Sequence, residues 1–113
     1  MVVSAGVAGL FEKGLRIHVR HGPGEVLLAV DGELDMATTP RLESALADVL
    51  AGGSCPRVVL DLGGLGFMDA CALGCIVRIG RRLAAGGGAL VVLRPSRPAR
   101  RLLELCGLGG LLG

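Results

Sequence analysis

Between Arg57 and Leu83 the chain changes its hydrophobic period, and that change limits the folds open to it. Val58-Val59-Leu60 is a continuous apolar run of strand length, and Asp61-Leu62-Gly63-Gly64 breaks it. A second patch, Leu65-Gly66-Phe67-Met68, leads to Asp69. Because Gly63-Gly64-Leu65-Gly66 does not directly open a helix, it reads as a turn. Beyond Asp69, Leu73, Ile76, Val77, Gly80, Leu83 and Ala84 recur at helical spacing as one buried face. Arg78, Arg81 and Arg82 fall outside that stripe. The stretch reads strand, loop, helix, with Asp69 at the N-cap. A helix start carries a partial positive charge and unpaired N–H groups, so it suits an anion or a phosphate-controlled switch.

The flanking segments repeat the alternation. Arg16-Ile17-His18-Val19-Arg20 has the period of a half-buried strand near an edge, and Gly22-Pro23-Gly24 turns it back. Glu25 to Val30 is a more central strand ending at Asp31-Gly32-Glu33-Leu34-Asp35. Thr39 as N-cap and Pro40 at the first helical position open a helix. Its buried stripe is Leu42, Ala45, Leu46, Val49 and Leu50, and Gly52-Gly53 stops it. Cys55-Pro56 links it to the central stretch. After Gly86-Gly87-Gly88 come a strand over Ala89 to Leu93 and a helix capped by Ser96, with Pro98 in its first turn. Ala99, Leu102, Leu103 and Cys106 form that helix's apolar face, and Gly107 ends it. The tail from Leu108 either starts an edge strand or frays. Strand and helix thus alternate from residue 25 onward. That order predicts an α/β domain over residues 16–113, preceded by a flexible leader over 1–15. Its sheet is mixed and mostly parallel, with four or five strands and about three or four helices.

At 113 residues the chain makes one domain with one core. With 51% hydrophobic and 19% charged residues it is expected to fold, and with two Phe and no Trp or Tyr its core must be aliphatic. A net charge of +2 supplies no strong field for nucleic acid or membrane. No secretory signal accompanies the four cysteines, so free thiols in the cytoplasm are expected, with Cys106 a small buried hydrophobe. No apolar run is long enough for membrane insertion.

Nothing in the sequence assembles a catalytic set, and no enzyme, cofactor or metal is expected. Asp31, Glu33 and Asp35 have no nucleophilic or basic partner and read as a polar loop at the carboxyl edge of the sheet. His18 and His21 lack a third ligand. Cys71 and Cys75 share a helix face with Arg78 and Arg82, which allows a reactive thiol at Cys71, though small residues that keep a binding surface flat are the plainer reading, and two sulfurs are half a zinc site. Arg94, Arg97, Arg100 and Arg101 make a basic patch without stacking aromatics, a solvated face or the rim for an acidic partner and not a nucleic-acid site.

Asp61-Leu62 followed by Phe67-Met68-Asp69 and Leu73-Gly74 resembles the signature loop of STAS domains, in particular the bacterial anti-sigma factor antagonists. Gly32-Glu33-Leu34-Asp35 upstream and Gly87 to Val92, Arg101-Leu102-Leu103 and Cys106-Gly107-Leu108 downstream match in order, so the resemblance covers about residues 16–110. It implies the same α/β architecture. It also implies a partner, an anti-sigma factor of histidine-kinase-like ATPase fold, whose capture frees a sigma factor. Asp35, Asp69, Ala70, Cys71 and Gly74 would form the partner surface. The family carries a phosphorylatable Ser after the Asp, then Ser or Thr, then Gly. Ala70, Cys71 and Ala72 stand there in this chain, and residues 63–74 hold no Ser, Thr or Tyr. Antagonism without phosphate control is therefore expected. A STAS scaffold or transporter-associated subunit is the alternative, and a homodimer is left open.

Overall fold

A computed structural model describes residues 14–52 and 57–108. The leader up to residue 13, Gly53, the Cys55-Pro56 link and the tail beyond Leu108 lie outside the described residues. β1 (Leu15–Gly22) and β2 (Glu25–Leu34) form an antiparallel hairpin around Pro23-Gly24, with Gly24 at φ +68. There follow α1 (Thr39–Leu50), β3 (Arg57–Met68), α2 (Ala70–Ala85), β4 (Ala89–Leu93) and α3 (Arg97–Leu105). The strand order is β1-β2-β3-β4, with β2–β3 and β3–β4 parallel. This is the expected mixed α/β sheet, with four strands and three helices.

Two strands are longer than their apolar runs. β2 continues through Asp31-Gly32-Glu33-Leu34, and β3 runs through Gly63-Gly64-Leu65-Gly66, where a break and a turn were expected. Their pairing shifts register between Ala29 and Asp31 and between Gly32 and Glu33. Glycine is at home in such irregular strand. At Gly64 a Cβ would meet the Asp31 carboxylate, which would have to move aside. Local composition signalled a break; the ladder with β2 overrode it.

Alternate strand residues, among them Ile17, Leu28, Val30, Leu60 and Val92, join the helices' apolar stripes in one core. The opposite face carries Leu27, Ala29, Val59, Val91 and Leu93, which are no part of that cluster. The α2 stripe is rotated from the expected one. Ala72, Leu73, Cys75, Ile76, Ile79 and Leu83 are buried, whereas Val77 and Gly80 are half-buried and Ala84 is exposed.

At α1 the N-cap is Thr38, not Thr39, and no side chain caps the helix. Both threonine hydroxyls turn back along the chain, Thr38 to Glu33 O at the end of β2 and Thr39 to Asp35 O in the loop after it. Ser96 caps α3 as expected, accepting from Ala99 N at 3.4 Å. Cys106 is exposed and not a core residue, because α3 ends at Leu105 and the chain turns at Gly107 with φ +73.

Candidate functional site

The parallel strands β2 and β3 end side by side, with Leu34 opposite Met68. Their exits bring Asp35 and Asp69 together. Asp69 sits in extended backbone (φ −109, ψ 179), and its Oδ1 accepts the Ala72 N–H at 2.9 Å, the N-cap bond expected from sequence. Its Oδ2 accepts the Met36 N–H at 3.2 Å, and its own N–H donates to Leu34 O at 3.2 Å. Asp35 organises the other exit. Its Oδ1 accepts the Ala37 and Thr38 N–H groups at 2.9 and 3.0 Å, an Asx-type turn that aims the chain into α1. The two carboxylates are held by backbone donors, which is a structural use and not an acid–base pair.

Of the five expected partner residues, Ala70 and Cys71 are exposed, while Asp35, Asp69 and Gly74 are half-buried. All five lie around the start of α2 and the facing loop. A Cβ on Gly74 would come within 3.4 Å of the Arg78 guanidinium, which pairs with Glu43 on α1 at 3.6 Å. Sequence reasoning missed Met36 and Phe67, which are 75% and 48% exposed beside these residues. Met36 belongs to no periodic stripe, which was the signal for its exposure. Phe67 follows strand alternation, since Met68 points inward.

Cys71 and Cys75 do not share an environment: Cys71 is exposed and Cys75 fully buried. Burial is the first cause of the rise in the Cys75 pKa from 9.0 to about 11, with Glu43 and Cys71 adding to it and Arg78 opposing. Cys75 is thus a small core residue, and the reactive-thiol expectation, made for Cys71, is left with an exposed side chain. Among the described residues no group of three or more His, Cys, Asp or Glu could hold a metal ion. Asp31 and Glu33 stand within β2 rather than in a loop. Arg94 leaves the basic patch to pair with buried Asp61 at 2.5 Å, and Arg100 lies 4.0 Å from Glu104. Among the described residues no helix is long and apolar enough to cross a membrane.

The STAS domain model matches residues 16–112. An anti-sigma F factor antagonist of Paenibacillus polymyxa is 31% identical over 94 residues, 83% of this chain and 80% of that protein. An anti-sigma factor antagonist from Mycobacterium paratuberculosis superposes with a TM-score of 0.75 at 28% identity, covering 87% of this chain and 82% of that one. Unphosphorylated SpoIIAA, also an anti-sigma factor antagonist, shares the fold with a TM-score of 0.76 at 22% identity, over 86% and 85% of the two chains. SpoIIAA has been solved in a phosphorylated form too. With the family model spanning nearly the whole chain, the protein belongs to the STAS domain family.

Proposed function

We propose that the protein is an anti-sigma factor antagonist that binds an ATPase-type anti-sigma factor at the start of α2, without phosphate control. The observation that carries this reading is the surface there. Met36, Phe67, Ala70 and Cys71 lie exposed around a helix start whose capping carboxylate is already occupied by two backbone N–H groups. Small and apolar side chains on a hydrogen-bonded frame can be desolvated at little cost in ordering. The relatives named as anti-sigma factor antagonists support the class of partner, and the family resemblance supports its histidine-kinase-like fold.

SpoIIAA exists with and without phosphate. A phosphoryl group brings roughly 1.5 to 2 negative charges, enough to alter a close contact. Ala70 offers no oxygen to accept one, so the contact stays in its phosphate-free state.

Mixing the purified chain with the ATPase-type anti-sigma factors of the same genome, in the presence of ATP, tests both halves. A stable complex on gel filtration and an unchanged intact mass are expected. No complex with any of them overturns the antagonist reading. A phosphate found on residues 69–75 overturns the absence of control.

A further inference from the structure

All three helices bury their apolar stripes on one side of the sheet, and the other side is built differently. Register places Arg20, Leu27, Val59 and Val91 in one row across the four strands, and His18, Ala29, Asp61 and Leu93 in the next. Arg16 begins a third row beside Asp31. The centre of this face is apolar: Leu27, Ala29, Val91 and Leu93 are half-buried, and Val59 between them is buried at 7% exposure. Its β1 margin is cationic. Arg16, His18 and Arg20 are exposed, and no carboxylate of the described residues pairs with Arg16 or Arg20. At the other corner Asp61 is already neutralised by Arg94.

We propose that this face docks an acidic amphipathic segment of a protein partner, at a surface separate from the start of α2. The strip from β2 to β4 is about 10 Å wide, close to the diameter of one helix. An amphipathic helix laid along it would set its apolar side on Leu27, Val59 and Val91 and its carboxylates against Arg16 and Arg20. Charge selects among occupants. A second copy would bring an equally cationic β1 margin, and residues 1–13 carry one Glu and one Lys, so neither complements the margin. Nucleic acid would leave the apolar rows unsatisfied and find no aromatic ring to stack on.

The test uses the 15N-labelled full chain, a Leu/Glu amphipathic helical peptide and its Leu/Lys counterpart of equal length. The Leu/Glu peptide should shift the amides of β1, Leu27, Val59 and Val91, bind at least about fivefold tighter than the Leu/Lys peptide, and weaken with salt. Arg16→Glu with Arg20→Glu should reverse the preference, and Arg16→Gln with Arg20→Gln should abolish it if the charge-reversed chain does not fold. Equal response to both peptides, or shifts confined to the Ala70 end of α2, overturns the proposal. So does self-association that produces the same footprint. Binding to phosphatidylglycerol vesicles through this face, with no response to the acidic peptide, overturns it in favour of a lipid surface.

Discussion

Asp69 is tied to Met36 through space: its Oδ2 accepts the Met36 N–H at 3.2 Å across 33 residues of sequence. The same carboxylate caps α2 through Ala72. One side chain thus fixes the helix start and the loop leaving β2 relative to each other. The exposed residues on the two segments, Ala70, Cys71 and Met36, are held as a single surface.

Asp69→Ala removes both bonds. Loss of an N-cap alone costs about 1 kcal/mol, and the freed Met36 N–H adds to it. The midpoint of thermal unfolding should fall by roughly 4 °C or more. Asp69→Asn should fall between wild type and Asp69→Ala. Its amide oxygen can still cap Ala72, but its NH2 presents a donor to the Met36 donor. Thermal scans of the three proteins check the order, and an Asn variant as unstable as the Ala variant would remove the cap from the account.

Asp61 and Arg94 make the more consequential ion pair. The Asp61 carboxylate is 10% exposed and also accepts the Gly63 N–H at 2.9 Å. Arg94 is 75% exposed and holds a left-handed φ of +46, the one non-glycine residue to do so among those described. Removing Arg94 strands a buried carboxylate, though its own exposure screens the interaction. Arg94→Ala should therefore cost about 1 to 2 kcal/mol. Arg57→Ala breaks a pair whose side chains are 55% and 46% exposed, and should cost under about 0.5 kcal/mol. Urea titrations of both variants compare them, and equal losses would show that burial of Asp61 is immaterial.

How much of this was legible in the sequence follows from which interactions are local. The caps at Asp69 and Ser96 were readable because each is completed within three residues. So was the strand–helix alternation, which rests on short hydrophobic periods. β3 was read too short because Gly63, Gly64 and Gly66 look like a turn until β2 is laid beside them. The α2 stripe is rotated because small residues, Ala72 and Cys75, do not announce burial, while half-buried Val77 and exposed Ala84 look in sequence like core residues. Thr39 was a sound local choice for a cap, but Asp35 draws its hydroxyl away. What no window along the chain contains is the meeting of two strand ends that brings Met36 beside Asp69.

Burial of Cys75 predicts a pH effect on stability. Its pKa is raised from 9.0 to about 11, with burial the first cause. Below pH 9 the thiol is neutral in folded and unfolded chains alike, and its contribution is fully present. From about 9 to 11 the unfolded chain ionises and the folded one does not, so stability falls as pH rises, by an amount of order 2 kcal/mol. Cys75→Ala starts from lower stability because of the cavity, yet should show a shallower decline over that window. Chemical denaturation at several pH values between 8 and 11 checks the slope. Iodoacetamide at pH 8 should label exposed Cys71 in the folded chain and leave Cys75 unmodified.

Ala70 occupies the first helical position after the Asp69 cap, and its side chain is exposed. Glutamate there would face the positive end of α2, which favours a negative charge by about 0.3 to 1 kcal/mol. Repulsion from Asp69 offsets part of that gain. The Ala70→Glu chain should be as stable as wild type or slightly more so. On the proposed interface the same carboxylate must be desolvated against the partner, so affinity for the anti-sigma factor should drop by at least about tenfold, or 1.4 kcal/mol. Ala70→Ser, small and uncharged, should keep both properties until a kinase phosphorylates it. Thermal unfolding and binding titrations on the three chains separate the two effects. Unchanged affinity in a folded Ala70→Glu chain would place the partner contact away from the start of α2.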